Sequence, residues 1–441
     1  MLNPALIRLV LLLVSFSLLG CPALTEQATQ AGANRPAASF RYEDRVYQTN
    51  IRSVQLYRNP VEESYPVIYL GQLEPLVLEF DELLPMEQRE TDFFVDIISC
   101  DARWRPSGMV PIEFYDGFTN QRIGDFQRSA TFTKIPYVHY WYAFPGENES
   151  FKRSGNYLLK VYRNNDPNDV VITRRFVVVE QMVPIRPLNG AENWIRQEFQ
   201  QFSFEVFPRN IETFNPAQDL QITVLQNFRW DNALTLRSPR FQNQQSLEYA
   251  VNVNLDYQSG QEFRRHELET VRLISMSVQD IEERENIFEA FLFPDEPQGI
   301  ARFGNRLDRN GSYAFRVMEY EQPDLEAEYI RNYFSLKTKG PRPEGEEVYV
   351  FGELTDWQCL PEFRMDWNAS TQRYETDVLL KQGIYDYQYV VKGPLHPVAN
   401  PTPLEGRRRD TENFYSAMVY FRTPGDRAER IVGFQPINYR E

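Results

Sequence analysis

Much of the chain alternates apolar and polar residues with a period of two, which predicts β-strands with one buried and one solvent-facing side. The segment 247–255 (LEYAVNVNL) alternates almost strictly, and 51–57 (IRSVQLY) and 220–224 (LQITV) follow the same pattern. The longer apolar runs are rich in β-branched and aromatic residues, which fit a pleated sheet better than a helix. We therefore predict an all-β protein.

Two aromatic-rich runs, 137–144 and 154–162, are predicted to form an antiparallel pair. The second run opens with Ser-Gly-Asn, whose glycine and asparagine tolerate the positive φ of a sharp turn. Short runs with strand character also occur at regular spacing on both sides of this pair. Together they make about seven strands, the number expected of an immunoglobulin-like sandwich, which we place at residues 40–182.

Turn-forming residues predict two boundaries further along the chain. The segment 184–193 contains two prolines, an asparagine and a glycine, and 339–346 is charged and rich in proline and glycine. A second sandwich is expected at 190–338 and a third at 346–435, so the fold would be three consecutive β-sandwich domains. One segment is ambiguous, since 279–291 fits a short helix as well as a strand that ends at Phe293.

The N-terminal 20 residues have the features of a bacterial lipoprotein signal peptide. The apolar run 9–19 follows a single charge, Arg8, and is shorter than the ~20 residues that span a bilayer. The run ends in Leu-Leu-Gly directly before Cys21, as in a lipobox, so Cys21 is the predicted site of lipidation. The alternative is an ordinary signal peptide that is cleaved at Ala23 or beyond.

Charge and composition exclude several classes of function. The formal net charge of −15 argues against nucleic acid and against electrostatic docking on anionic lipid, because both would be repelled. A content of 42% hydrophobic residues excludes global disorder. The small and polar residues of 21–39 predict a flexible tether, and no acidic run follows Cys21, so an outer-membrane lipoprotein that faces the periplasm is expected.

The residues that most often carry catalysis are scarce. The chain has three histidines and lacks the Gly-x-Ser-x-Gly and His-Glu-x-x-His patterns, so we predict no catalytic residues, no cofactor and no metal. His139, among aromatics in a strand, is expected to be a structural imidazole with satisfied hydrogen bonds. His266 and His396 lie in polar contexts and are expected at the surface.

Two further features have structural interpretations. The sequence Asp-Arg-Asn-Gly at 308–311 resembles part of a calcium loop but lacks the distal glutamate, and Asn-Gly favours a hairpin turn. Cys100 and Cys359 lie in different predicted domains, so separate thiols are expected rather than a disulfide.

Four segments, in this order, resemble the N-terminal domain of the type IX secretion system plug proteins. They are 99–107 (SCDARWRPS), His139-Tyr140, 154–157 (SGNY) and 173–176 (TRRF). That family more often has histidine at the position of Ser99. Segments further along the chain also resemble the family and extend the resemblance to about 40–435: 226–232 (QNFRWDN), 262–264 (EFR), 405–406 (EG) and 411–413 (TEN).

The C-terminal part is also similar to the early-set sandwich of glycogen-binding modules, on the strength of 352–357 (GELTDW) and the aromatic strand 383–389 (GIYDYQY). That resemblance favours an early-set fold for the third sandwich. It also suggests an alternative function, a glycan-binding lipoprotein that would stack sugars on Trp357 and Trp367.

The resemblance to plug proteins implies a non-enzymatic protein. Such a protein would bind the periplasmic mouth of the giant outer-membrane translocon barrel and keep that pore closed. Three residues in the family-like segments, Trp104, Arg229 and Trp230, are of the types enriched at protein interfaces, and they are the predicted partner-binding residues.

Overall fold

The structure is a computed structural model. It describes residues 40–62, 64–188, 201–213, 215–252, 262–298, 308–406 and 413–438. The predictions for the signal peptide, for Cys21 and for the tether at 21–39 lie outside the described residues. Among the residues described, no helix has the length and apolar character needed to cross a bilayer.

The first sandwich contains twelve strands, more than the seven expected, because several are only two to four residues long. In chain order they are β1 (Arg45–Val46), β2 (Ile51–Arg58), β3 (Val67–Tyr69), β4 (Leu76–Leu83), β5 (Phe93–Cys100), β6 (Tyr115–Asp116), β7 (Gln121–Arg122), β8 (Asp125–Arg128), β9 (Tyr137–Phe144), β10 (Ser150–Phe151), β11 (Gly155–Arg163) and β12 (Val170–Val179). A short helix, α1 (Pro111–Phe114), precedes β6.

Two sheets of this sandwich face each other. One has the order β1-β12-β11-β5-β7, with β3 parallel to β12, and the other has the order β2-β4-β9-β8. Leu78, Phe80 and Tyr140 from the second sheet meet Tyr157 and Phe176 from the first in a shared core. The phenylalanine and tyrosine rings of Phe80 and Tyr140 stack at 5.1 Å between centroids. The positions of the two aromatic-rich strands are confirmed, but their predicted pairing is wrong: β9 pairs with β4 and β8 in one sheet, whereas β11 pairs with β12 and β5 in the other. A local pattern of apolar residues identifies a strand but not its partner, and these two strands face each other across the core instead.

The next six strands begin a second sandwich. They are β13 (Ile185–Leu188), β14 (Gln201–Val206), β15 (Leu220–Gln226), β16 (Leu234–Leu236), β17 (Phe241–Gln242) and β18 (Leu247–Asn252). A 3₁₀ turn (Pro208–Asn210) and a short helix, α2 (Pro216–Asp219), lie between β14 and β15. One sheet has the order β13-β14-β18-β17. The alternating segment 247–255 is a strand up to Asn252, and 253–255 lie outside the described residues.

The remaining strands are β19 (Arg264–Leu268), β20 (Val278–Glu283), β21 (Phe288–Leu292), β22 (Tyr313–Phe315), β23 (Tyr329–Lys337), β24 (Glu347–Phe351), β25 (Arg364–Asn368), β26 (Arg373–Lys381), β27 (Gly383–Gly393), β28 (His396–Asn400), β29 (Phe414–Phe421) and β30 (Arg430–Asn438). Between them lie helices α3 (Pro323–Glu326) and α4 (Thr402–Glu405), and 3₁₀ turns at Glu353–Thr355 and Pro361–Phe363. The ambiguous segment 279–291 forms an antiparallel hairpin of β20 and β21 rather than a helix.

Strand pairing crosses the predicted boundaries. Strands β19 to β28 form a single ten-stranded sheet, so the segment before the linker 339–346 and the segment after it share one sheet and one core. The last two strands return to the second sandwich, where the order is β16-β15-β29-β30. Proline and glycine at 339–346 mark a connection between β23 and β24 within one sheet, because turn residues break a strand whether or not a domain ends there.

Candidate functional site

An apolar junction joins the first sandwich to the second. The outer faces of β11 and β12 pack on the outer faces of β15, β29 and β30. Nineteen side chains form this cluster, eleven of them buried; the buried ones are Val67, Cys100, Trp104, Leu158, Val177, Val179, Leu225, Met418, Tyr420, Ile431 and Phe434. Because β11 faces the core of its own sandwich on one side and this junction on the other, it is buried along almost its full length.

The family-like segments meet in this apolar junction. The indole rings of Trp104 and Trp230 contact edge to face at 4.8 Å between centroids, and the guanidinium of Arg175 lies 4.7 Å from the ring centroid of Trp104. The carboxylate of Asp101 accepts hydrogen bonds from two backbone N–H groups, those of Arg103 and Arg105, at 2.9 Å each, and so fixes the turn that presents Trp104. These segments therefore hold sandwiches together inside the molecule.

The three predicted partner-binding residues all lie at such internal contacts. Trp104 is 8% exposed. Arg229 lies with its guanidinium 4.3 Å from the ring centroid of Trp357 and pairs with Asp231 at 2.7 Å, so it connects the second sandwich to the ten-stranded region. Their residue types fit an interface, and the interface in the structure is one between parts of the same chain.

A charged junction joins the first sandwich to the ten-stranded sheet. Asp81, on β4, is fully buried and lies at its centre. Its carboxylate accepts hydrogen bonds from Lys381 Nζ at 2.7 Å, from the Tyr329 hydroxyl at 2.7 Å and from His139 Nδ1 at 2.8 Å. Lys381 Nζ also donates to the carbonyl oxygen of Asp324 at 2.8 Å. A carboxylate is only an acceptor, so the proton of the His139 ring lies on Nδ1.

Electrostatics in the charged junction favour the ionised carboxylate. Burial by itself would raise the pKa of Asp81, but the charge of Lys381 and the hydrogen bond from His139 outweigh it and lower that pKa below its usual value. A second buried ion pair, Arg174 with Asp356 at 3.0 Å, crosses the same boundary. The two parts are therefore joined by directional contacts, fully desolvated around Asp81 and partly exposed at Asp356. A cavity of about 310 Å³, lined in part by Arg174 and Lys381, lies beside them.

Three adjacent loops present exposed apolar side chains, which we call the loop patch. The backbone N–H of Met318 donates to the carbonyl of Glu269 at 2.8 Å, and the rings of Phe132 and Tyr320 stack at 4.8 Å between centroids. These contacts place the loops side by side. The patch consists of Phe132 (47% exposed), Leu273 (64%), Ile274 (59%), Met276 (89%), Met318 (66%) and Tyr320 (36%). Grouped exposed apolar residues of this kind mark interaction surfaces.

The two tryptophans of the alternative glycan platform do not share a surface. Trp357 packs with Phe351, whereas Trp367 packs with Tyr374 in the core cluster that contains Val350. Successive residues of a strand point to opposite faces, so Val350 and Phe351 place the two indoles on opposite sides of the ten-stranded sheet.

The other predicted residues have mixed outcomes. Cys100 and Cys359 are separate free thiols, as predicted. Asn310 and Gly311 form a turn with positive φ at both residues, as Asn-Gly favours. The prediction for His266 was wrong, because it is fully buried, with ring nitrogens at hydrogen-bond distance from Ser277 and Asn332.

Burial lowers the pKa of the His266 imidazole to about 4, because the charged form loses its hydration in the interior. His396 is half-buried beside Asn400. Burial alternates along β19, but four of its five residues are polar, so no alternation of apolar and polar residues indicated that His266 faces the interior.

These features define a class, an all-β protein whose sandwiches are locked together by two buried junctions. Residues 51–180 match the family model of the first domain of the type 9 secretion system plug proteins. The crystal structure of a hypothetical protein from Parabacteroides merdae is similar along nearly its whole length: it is 31% identical, covers 90% of this chain and 99% of that chain, and has a TM-score of 0.84. The chain belongs to the type 9 secretion system plug family.

A much weaker likeness is to dimeric latent PorU from Porphyromonas gingivalis, at 10% identity over 88% of this chain and 34% of that chain. Its TM-score of 0.13 is too low to support any conclusion about the structure. No curated protein matches the chain. Family membership associates the protein with the type IX secretion machinery and with the cell envelope.

Proposed function

We propose that this protein is a non-enzymatic plug that binds the periplasmic mouth of the type IX translocon barrel and closes it between substrates. The observation that carries the proposal is the pair of buried junctions. A wide aqueous pore is occluded only by a body that does not deform, and close packing across an apolar and a charged junction makes the sandwiches one such body.

The proposed attachment to the membrane is a lipid on Cys21, at the periplasmic face of the outer membrane. Nineteen residues, 21–39, would link that lipid to the folded part. A flexible chain of this length has a typical end-to-end distance of roughly 25 Å. The anchor would therefore keep the plug close to the barrel and raise its effective concentration there. One lipid chain together with a protein contact also gives the two attachments that stable anchoring requires.

The loop patch is the proposed contact with the barrel. Its side chains come from both the first sandwich and the ten-stranded region, so one surface would engage the partner through both parts of the body. Apolar side chains at the tips of loops can enter an opening that the flat faces of a sheet cannot reach. Burying them against the barrel would supply the hydrophobic core of an interface.

Affinity purification from solubilised outer membranes tests this proposal. The tagged protein is expected to recover a very large barrel protein in near-stoichiometric amount. The double substitution Ile274→Asp and Met276→Asp should abolish that recovery without affecting folding, because both side chains are exposed. A matched control, Val110→Asp with Ile112→Asp, changes two exposed apolar residues outside the patch and should retain the barrel.

Two results would contradict the proposal. If the barrel is present in the membranes but does not accompany the tagged protein in mild detergent, there is no stable plug complex. If the control substitutions abolish recovery while the patch substitutions do not, the contact lies on another surface.

A further inference from the structure

Three side chains with metal-binding atoms converge beside the charged junction. Glu79 on β4, His139 on β9 and Asp324 in α3 each place one such atom within 4.8 Å of the other two. Glu79 and Asp324 are half-buried, and His139 is 6% exposed. Two of the residues belong to the first sandwich and the third belongs to the ten-stranded region, so the cluster spans the junction.

The imidazole of His139 is held in the orientation that a metal ligand requires. Its Nδ1–H donates to Asp81, and that carboxylate is itself fixed by Lys381 and Tyr329. Among the described residues, no protein group forms a hydrogen bond with Nε2, and this atom is not among the buried polar atoms that lack a partner, so it stays within reach of solvent. A histidine that donates one N–H to a carboxylate and keeps the other nitrogen free is the usual arrangement around protein-bound metals.

The carboxylates of the cluster also lack a compensating charge of their own. Glu79 accepts a hydrogen bond on Oε1 from the hydroxyl of Tyr57 at 2.7 Å, which leaves Oε2 open. Burial raises the pKa of Glu79, and the negative charges of Asp324 and Glu62 contribute to that rise. Lys381, the buried cation nearby, bonds to the carboxylate of Asp81 and only to the backbone carbonyl of Asp324.

We propose that Glu79, His139 and Asp324 bind a divalent transition metal ion, with Zn²⁺ as the best fit. One imidazole and two carboxylates form a mixed nitrogen and oxygen set, which favours zinc over the purely oxygen-binding Mg²⁺ and Ca²⁺. Water would complete the coordination. Ligand atoms around zinc at about 2.0–2.2 Å lie roughly 3.5 Å apart in a tetrahedron, so the three side chains would close by about 1 Å.

The metal would act as a clamp. It would add a connection between the first sandwich and α3, close to the bonds that Asp81 makes with Lys381 and Tyr329. This inference does not rest on the plug function, because it concerns how two parts of the chain are held together.

The test is zinc binding by the purified protein after treatment with a chelator, followed by titration calorimetry and by thermal unfolding. The wild type is expected to bind one equivalent of Zn²⁺ and to unfold at a higher temperature when zinc is present. Glu79→Gln and Asp324→Asn should each weaken binding by tenfold or more and remove the thermal shift. Both substitutions preserve shape, and unfolding without metal checks that the variants are folded.

Two matched controls separate this site from general attraction of cations to an acidic protein. Glu62→Gln removes a nearby charge that is not a ligand, and His396→Gln removes a histidine elsewhere; both should bind zinc as the wild type does. The proposal is overturned if the wild type binds no stoichiometric zinc, or if the ligand variants bind it as well as the controls. Equal affinity for Ca²⁺ and Zn²⁺ would overturn the assignment to a transition metal.

Discussion

The apolar junction and the charged junction both hold two parts of the chain together, but they do so through opposite chemistry. In the first, Val177, Leu225 and Ile431 are among many apolar side chains that exclude water without hydrogen-bond partners. In the second, a few polar atoms around Asp81 are held at 2.7–2.8 Å by defined donors. Burial of apolar surface is non-directional and stabilises in proportion to area, whereas a buried ion pair is favourable only when its geometry is complete.

The difference indicates separate roles. Burial of the apolar side chains contributes stability that does not depend on pH, and it tolerates small changes in geometry. The charged junction specifies one relative position of the first sandwich and the ten-stranded sheet, because any shift would leave Asp81 or Lys381 buried without its partner. The proposed plug function, in which the body must neither deform nor slip, would need both kinds of contact.

The largest expected effect comes from removing the cation of the charged junction. Lys381→Met leaves the carboxylate of Asp81 fully buried without its main partner, which should lower the free energy of unfolding by about 3–5 kcal/mol. Urea denaturation measures the change. The exposed Lys392, at the end of β27, offers a matched control, and Lys392→Met should change stability by less than about 0.5 kcal/mol. Similar small effects for both would mean that the charged junction does not hold the parts together.

Truncation in the apolar junction should have a somewhat smaller effect. Trp104→Ala removes the ring that contacts Trp230 and Arg175 and is expected to cost about 3 kcal/mol, through lost burial and the cavity left behind. Leu395→Ala removes an apolar side chain that is 72% exposed and should have almost no effect. A Trp104 variant as stable as the wild type, yet unable to recover the barrel, would instead support the predicted role in partner binding.

The longer strands of the first sandwich could be predicted from the sequence, because each carries its own period-two or apolar pattern, whereas the strands of two to four residues are too short to show one. The return of β29 and β30 to the second sandwich could not, since strand pairing over about 200 residues leaves no local pattern. The metal-binding cluster was missed for the same reason. Its three residues come from separate segments, and only the fold brings Asp324 to Glu79 and His139.

Acid should weaken one junction and not the other. The pKa of Asp81 is lowered in the folded protein, so its contribution is complete above the unfolded value of about 3.9 and is lost as pH falls through the folded pKa. A double-mutant cycle of Asp81→Asn and Lys381→Met should give a coupling of at least about 1.5 kcal/mol at pH 7 that declines below pH 4. The coupling energy between Trp104 and Trp230 should not change with pH. If it also declined below pH 4, the two junctions would not differ in their response to acid.

The smallest predicted effect concerns the contact of Arg229 with Trp357. Arg229→Ala removes a cation that lies 4.3 Å from the indole centroid, together with the pair to Asp231, and should cost about 1 kcal/mol. Arg331→Ala removes an exposed pair with Asp377 and should cost less than about 0.5 kcal/mol. An Arg229 variant that keeps full stability would show that this contact does not join the second sandwich to the ten-stranded region.

The central claim, that this body closes a pore, is tested most directly by the permeability of the outer membrane to a large hydrophilic antibiotic such as vancomycin. A strain that lacks the protein should become sensitive, and the wild-type protein and the Val110→Asp, Ile112→Asp control should restore resistance. The Ile274→Asp, Met276→Asp variant, made in equal amount, should leave the strain sensitive. Resistance that is unchanged in the deleted strain, with the barrel present, would contradict a plug function.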